Sequence, residues 1–248
     1  MNISMETAQP SVVHDEPGIL AALLANAVLG PCHPDALESL ARNALAREGR
    51  RGTRIAQAGV SFPYLGIVLN GVVGVTACAG EQVRGGVRNL RLYESYAGET
   101  FCDISFLDGY EALGEITIVS KRGAYALLPS NFVMQMGEQD PALLLRLAVH
   151  TATRCRLFKR RLVNQAARTV TERVAEVLVN FAGEGPGMQP VDPQLLEFAQ
   201  RDIAAVAGCV KEAAARAIAE LENVGALRRE RGRIRYIDRA KLIQYTEI

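Results

Sequence analysis

Apolar positions along the chain change their period twice, and each change marks a boundary. Residues up to about Pro17 are polar and unpatterned and read as a loose tail. A short helical stretch follows from Ile19 to Leu29 and is closed by Gly30-Pro31. A second, His33 to Leu45, has Pro34 in its first turn and places Leu37, Leu40 and Leu45 at helical spacing. Between Gly52 and about Leu128 the apolar residues alternate or form short β-branched runs punctuated by glycine. Ile67-Val68-Leu69, Asn70-Gly71 and Val72-Val73-Gly74-Val75 together predict a hairpin. Further strands are predicted over 90–93, 115–119 and 124–128, with loops at Ala79-Gly80 and Gly85-Gly86. Many short strands with regular turns indicate a barrel or sandwich.

From Pro141 the period is helical again and stays so for roughly seven turns. Asp140 suits the N-cap and Pro141 the first helical position. Leu144, Ala148, Thr151, Cys155, Phe158 and Leu162 recur at the alternating spacing of a coiled-coil seam. Arg154, Arg156, Lys159, Arg160 and Arg161 fall off that seam and are assigned to solvated faces. A seam this narrow predicts pairing with the same helix of a second subunit; packing onto the chain's own barrel is the competing reading.

A separate helix, Val170 to Phe181, ends in the glycine-rich loop 183–187. Arg201-Asp202-Ile203-Ala204-Ala205-Val206-Ala207 then forms a helical pattern broken by Gly208, and a second helix runs from Lys211 to about Val224. Gly225 stops it, and two β-like pieces flank the basic tip Arg231-Gly232-Arg233. Helix, tight turn, helix and basic hairpin is the order of a winged helix-turn-helix. Charge is distributed accordingly. The formal net charge is +1, but residues from Thr151 onward carry 17 Lys and Arg against 12 Asp and Glu. The basic half is thus the half that holds the helix-turn-helix pattern, as phosphate contact requires.

Other chemistry is thinly represented. Five cysteines, Cys32, Cys78, Cys102, Cys155 and Cys209, contain no CxxC pair, which argues against a disulfide framework, a structural zinc site or an iron–sulfur cluster. Residues 52–128 contain no histidine, so a metal oxygenase built on the barrel lacks its ligands, and no catalytic residues are assigned. No run reaches membrane-spanning length and the N-terminus has no signal pattern, so a cytoplasmic location is expected.

In this order the parts resemble the Crp/Fnr family of bacterial transcription regulators. Three stretches carry the resemblance: 64–75 looks like the family's central β-roll hairpin, 170–178 like the helix that opens its DNA-binding domain, and 202–222 like its helix-turn-helix. The implied fold is α+β: an N-terminal β-roll (a cyclic-nucleotide-binding-like jelly roll), a long dimerisation helix and a C-terminal winged helix-turn-helix. The expected divisions are a tail at 1–17, an effector-type domain at 18–139, the dimerisation helix at 140–167 and the DNA-binding domain at 168–248.

The resemblance implies base reading by Lys211, Glu212 and Arg216, and phosphate contact by Arg201, Arg231 and Arg233. Glutamate can accept from the cytosine amino group, while Lys and Arg donate to guanine. Val210-Lys211 and Ala215 depart from common family residues, which implies an altered operator, and Ala199 replaces a frequent Thr N-cap. The implied partners are double-stranded DNA, a second copy of the chain and RNA polymerase.

The loop matching the family's effector pocket holds Gly98, Glu99, Cys102 and Asp103. Cys102-Asp103 replaces the family's Gly-Glu, and no Arg-Ser follows. No cation is therefore expected there to meet a cyclic phosphate, Asp108 and Glu111 are expected to repel one, and Phe158 and Lys159 occupy the base-contacting helix positions. The expectation is a regulator not gated by cyclic AMP or cyclic GMP, with no cofactor. The alternatives are a small-ligand sensor with protein-contact output and a haem- or redox-gated relative, for which His14, His33, His150 and the cysteines are candidate groups without a diagnostic setting.

Overall fold

The computed structural model describes residues 10–12, 15–78 and 89–246, with the side chains of Cys78, Asn89, Gln194 and Glu197 left aside. The expected loops at 79–80 and 85–86, and His14, lie outside the described residues. The chain divides into two compact units, Met1–Ala77 with Leu92–Leu157, and Cys78–Arg91 with Phe158–Ile248.

The N-terminal unit begins with β1 (Ser11–Val12), α1 (Glu16–Ala25) and α2 (Pro34–Asn43). Asp15 caps α1 by accepting from the Gly18 N–H at 3.0 Å. Next come β2 (Leu45–Arg50), β3 (Arg54–Ala56), β4 (Tyr64–Asn70), β5 (Val72–Cys78), β6 (Asn89–Tyr96), β7 (Thr100–Phe101) and α3 (Asp103–Asp108). β8 (Glu115–Ile118), β9 (Arg122–Pro129), α4 (Ser130–Gln139) and α5 (Pro141–Ala167) follow. One sheet has the order β1-β2-β9-β4-β7 and the other β3-β8-β5-β6, as in a β-roll. Leu23, Leu37 and Leu40 of the first two helices share a core with Leu65 and Leu128 of the first sheet and with Val133, Leu143 and Leu147 of α4 and α5.

Several sequence expectations need correction. Ser11 and Val12, placed in the tail, pair with Glu48 and Arg47 of β2. The first helix is α1, which starts at Glu16 and ends at Ala25, because the Asn26 carboxamide then accepts from the Val28 and Leu29 N–H groups and turns the chain. Leu45 begins β2 rather than ending a helix. The Asn70-Gly71 hairpin does not form: β4 and β5 lie in different sheets, and Gly71 is the corner between them. Its φ is +79°, and a Cβ there would meet the Ser120 Oγ, which accepts from the Val72 N–H at 2.9 Å. A glycine with positive φ before a β-branched run thus serves a sheet change as well as a tight turn. Asp140 does cap α5, its carboxylate accepting from the Ala142 N–H at 3.1 Å.

The C-terminal unit contains the end of α5, then α6 (Val170–Val179), β10 (Met188–Pro190), α7 (Pro193–Glu197), α8 (Gln200–Ala207), α9 (Lys211–Asn223), β11 (Leu227–Glu230), β12 (Arg233–Asp238) and α10 (Arg239–Ile243). Thr169 and Glu172 form a reciprocal capping box at the start of α6. Val174, Leu178, Ile203, Ala207, Ile218, Leu221, Ile234 and Leu242 pack in one core. Glu176 of α6 receives Arg160 at 2.8 Å and Asn164 at 2.5 Å, so the end of α5 is tied to α6. The sequence gave no sign of β10, which pairs with β12 and makes the wing three-stranded.

Candidate nucleic-acid interface

α8 presents Ile203, Ala204 and Ala207 to the core. Its N-cap, Ala199, has no side-chain acceptor, but the Asp202 carboxylate reaches back to the Ala199 N–H at 2.8 Å. Half of a capping box therefore compensates for the missing Thr. Gly208 closes α8 at φ +63°, and the Cys209 N–H donates to the Ala204 carbonyl at 2.9 Å. That left-handed residue sets the tight turn into α9. The Cys209 thiol is buried there and its pKa is raised, chiefly by desolvation.

α9 buries Ala214, Ala217, Ile218 and Leu221, which leaves the opposite face exposed. Lys211, Glu212 and Arg216 all lie on that exposed face, within the first two turns. Its N-cap is Val210, which supplies no side-chain cap, while the Ala213 N–H donates to the Val210 carbonyl at 3.0 Å. Among the described residues no ion pair joins Glu212 to Arg216, although they stand one turn apart.

Arg201, in the first turn of α8, is exposed. β11 and β12 are joined through Arg231 and Gly232, whose φ values of 51° and 76° are those of a primed two-residue turn. Arg231 is exposed at the tip. Arg233 is exposed too, but one of its guanidinium nitrogens donates to the Leu196 carbonyl, so part of its donor set is spent within the chain. Two supports had no role in the sequence reading. Glu222 near the end of α9 accepts from the Arg229 N–H at 3.0 Å and Nε at 2.8 Å and is also bonded to Nη2, which fixes β11 to the helix. Arg228 lies 4.1 Å from the Tyr236 ring centroid. An (i, i+7) Glu–Arg pair across a helix end has no periodic signal, so sequence reasoning had no handle on it.

The effector-type loop lies in the N-terminal unit. Gly98 and Glu99 make a turn: the Gly98 N–H donates to the Val68 carbonyl at 2.8 Å, and the Glu99 carboxylate accepts from the Tyr96 N–H at 2.9 Å. Cys102 adopts φ +64° ahead of α3, and its N–H donates to the Tyr93 hydroxyl at 3.0 Å. Burial pushes the Cys102 thiol up to about 11. Asp103 is fully buried, and its Oδ1 stands 2.7 Å from Nη1 of Arg154 on α5. Its other oxygen accepts from the Thr151 hydroxyl at 3.0 Å.

Two expectations are overturned at this loop. Arg154 is not on a solvated face; it is 6% exposed. A cation is present beside the loop, contributed by α5 instead of by the loop itself. Asp108, Glu111 and Lys159 are exposed, which leaves their expected roles untouched, and the helix residues that meet Asp103 are Thr151 and Arg154. His150 is half-buried with Nε2 3.4 Å from the Thr100 Oγ1, and its pKa is lowered by desolvation and then by Arg154. His33 stands at the start of α2, where its ring nitrogen accepts weakly from the Asp35 N–H at 3.4 Å.

The predicted seam is divided between two environments. Leu144, Thr151 and Phe158 are half-buried, whereas Ala148, Cys155 and Leu162 are exposed. Leu145, Val149 and Val163 are exposed alongside them, and Leu162 is 65% accessible. The inward face is the stripe Leu143, Leu147 and Arg154.

Comparison with known proteins agrees with this geometry. Residues 172–245 match the Crp-like helix-turn-helix domain family. The chain is 28% identical over 89 residues to the cAMP-activated global transcriptional regulator CRP of Escherichia coli and of Salmonella typhimurium, a match covering 36% of this chain and 42% of those relatives. The chain thus spans less than half the length of the curated relatives it matches. Among solved structures it resembles FixK2 from Bradyrhizobium japonicum, at TM-score 0.69 and 19% identity over 83% of this chain and 98% of that one. The c-di-GMP responsive global regulator CLP of Xanthomonas campestris aligns at TM-score 0.66 and 19% identity, over 83% and 99% of the two chains. Residues 172–245 thus match a Crp-like helix-turn-helix domain, and the chain shares its fold with FixK2 and CLP.

Proposed function

We propose that the protein is a sequence-specific DNA-binding transcription regulator that acts as a homodimer on a two-fold symmetric operator and is not an enzyme. The observation that carries the reading is the α9 N-terminus, where Lys211, Glu212 and Arg216 are exposed on the face opposite the buried Ala214, Ala217, Ile218 and Leu221. Lys211 and Arg216 suit guanine O6 and N7, and Glu212 suits the cytosine amino group. Arg201, Arg231 and Arg233 flank them as phosphate contacts that hold register without reading sequence. Arg233 is the weakest of the three, given its bond to Leu196.

Pairing is assigned to the exposed apolar residues of α5, with Ala148, Cys155 and Leu162 from the predicted seam joined by Leu145, Val149 and Val163. A two-fold reader of this kind requires two copies of α9 about one DNA turn, ~34 Å, apart. RNA polymerase is the proposed further partner and the cytoplasm the proposed location. Among the described residues no helix is long and apolar enough to cross a membrane.

The CRP relatives are cAMP-activated regulators and CLP a c-di-GMP responsive one. For this chain the reading is regulation without a classical cyclic nucleotide. It is supported by Asp103, which is engaged by Arg154 and Thr151 rather than left open. The test is selection of bound sequences from a random DNA library. Wild-type protein is expected to enrich a palindromic site, and Glu212→Ala and Arg216→Ala to lose preference at one position of each half-site while remaining dimeric. Unchanged preference in both variants would remove these residues from base reading.

A further inference from the structure

Burying a guanidinium is costly, because its hydration must be replaced group by group. Arg154 is nonetheless 6% exposed. Its Nη1 faces Asp103 Oδ1 at 2.7 Å as a buried ion pair, and neither atom has a hydrogen-bond partner among the described residues. Nη2 donates to the Ser95 hydroxyl at 3.1 Å and to the Thr100 carbonyl. The Tyr93 ring covers the guanidinium, with its centroid 4.1 Å from Cζ. Three separate elements of the β-roll, β6, β7 and the start of α3, therefore converge on one side chain of α5. Each uses a group that could serve a diffusible ligand equally well: a carboxylate, a hydroxyl, a carbonyl and an aromatic face.

We propose that Arg154 is a built-in ligand of the β-roll, filling from within the chain the position of a small cationic effector and holding α5 in its ligand-bound arrangement. The stripe Leu143–Leu147 already packs α5 at its N-terminal end. An apolar residue at 154 would continue that packing without the desolvation cost, so the charge is not needed for burial alone. What the charge adds is direction. The planar fork aims Nη1 at Asp103 and Nη2 at Ser95 and Thr100, a directional set that an apolar side chain could not engage. α5 runs unbroken from this contact to Ala167, so Arg154 lies on the same helix that precedes the DNA-binding unit. The protein is then competent for its operator without any added small molecule.

This inference rests on the regulator reading, and its test separates the two. Operator affinity and amide exchange along α5 are measured for wild type, Arg154→Ala and the neutral pair Asp103→Asn with Arg154→Gln. Arg154→Ala is expected to bind the operator about tenfold more weakly, the size of a typical coupling between sites. Millimolar methylguanidinium, which replaces the missing group, is expected to restore its affinity and slow exchange at 150–157, leaving wild type unchanged. Equal affinity of Arg154→Ala and wild type, or no response of the variant to methylguanidinium, overturns the proposal. Should Arg154→Ala fail to fold, the neutral pair decides: wild-type affinity overturns it, and a similar weakening with the dimer intact upholds it. Wild type that retains no DNA would defeat the regulator reading, and the methylguanidinium effect on exchange in Arg154→Ala would then decide the built-in ligand alone.

Discussion

Glu222, near the end of α9, takes both the backbone N–H and the guanidinium of Arg229. That side-chain bond holds the Glu222 carboxyl below its ordinary 4.5. A depressed folded pKa contributes stability that is complete above the ordinary value and is lost as pH falls through the folded one. Glu222→Gln is therefore expected to lower stability by about 1 kcal/mol at pH 7, the upper end for a partly exposed pair. The difference from wild type is expected to vanish in acid, below the depressed pKa. Urea unfolding at both pH values checks it; an equal deficit in acid would mean the cost comes from packing. The same scale shows what residue type concealed. Arg154 falls off the expected seam, among other basic residues that point to a solvated face. Yet it continues the stripe Leu143–Leu147 at heptad spacing, so its face was legible even though its partner Asp103 was not. Lys211, Glu212 and Arg216 came from the family resemblance; the turn glycine and the apolar period of α9 account only for their facing away from the core.

α5 carries two apolar faces, and the sequence saw only the average of them. The expected seam falls between the stripe that packs inward and the exposed residues Leu145, Val149 and Val163. A period names the residues that share a face, but not which neighbour covers it. Pairing through the exposed set is expected to fail in Val149→Glu combined with Leu162→Glu, because two-fold symmetry would bring like charges together in an apolar setting. Sedimentation should then report a monomer with an unchanged folded signal, whereas a persisting dimer would place the interface elsewhere. Other elements were hidden for simple reasons. α4 contains Gly137 and several polar residues, and it is held as a helix by packing, with Leu144 lying against the Gly137 backbone. Asn70-Gly71 carries the local signal of a hairpin, but the partners of β4 and β5 are β9 and β8, far along the chain. Turn chemistry specifies the bend; sheet membership is a long-range matter.

At the scale of the molecule, charge and fold point the same way. The half that carries the helix-turn-helix has the surplus of cations, so operator binding is expected to weaken steeply with salt, with a slope of roughly one counterion per phosphate contact. Cyclic AMP at millimolar concentration is expected to change neither the melting temperature nor operator affinity. A ligand that bound the folded state at a hundred times its Kd would stabilise it by ~2.7 kcal/mol, so an upward melting shift would readily expose a functional nucleotide site. The sequence by itself determined the order of parts, the strand-rich middle, the helix-turn-helix and its outward-facing residues. All of these follow from local period, glycine placement and capping chemistry, which act over a few residues. Tertiary structure decided the rest: which sheet each strand joins, which face of α5 is inward, and that the effector-type loop is closed by an arginine from α5. Those outcomes depend on groups as far apart as Asp103 and Arg154, brought together only by packing, and no period along the chain records such a meeting.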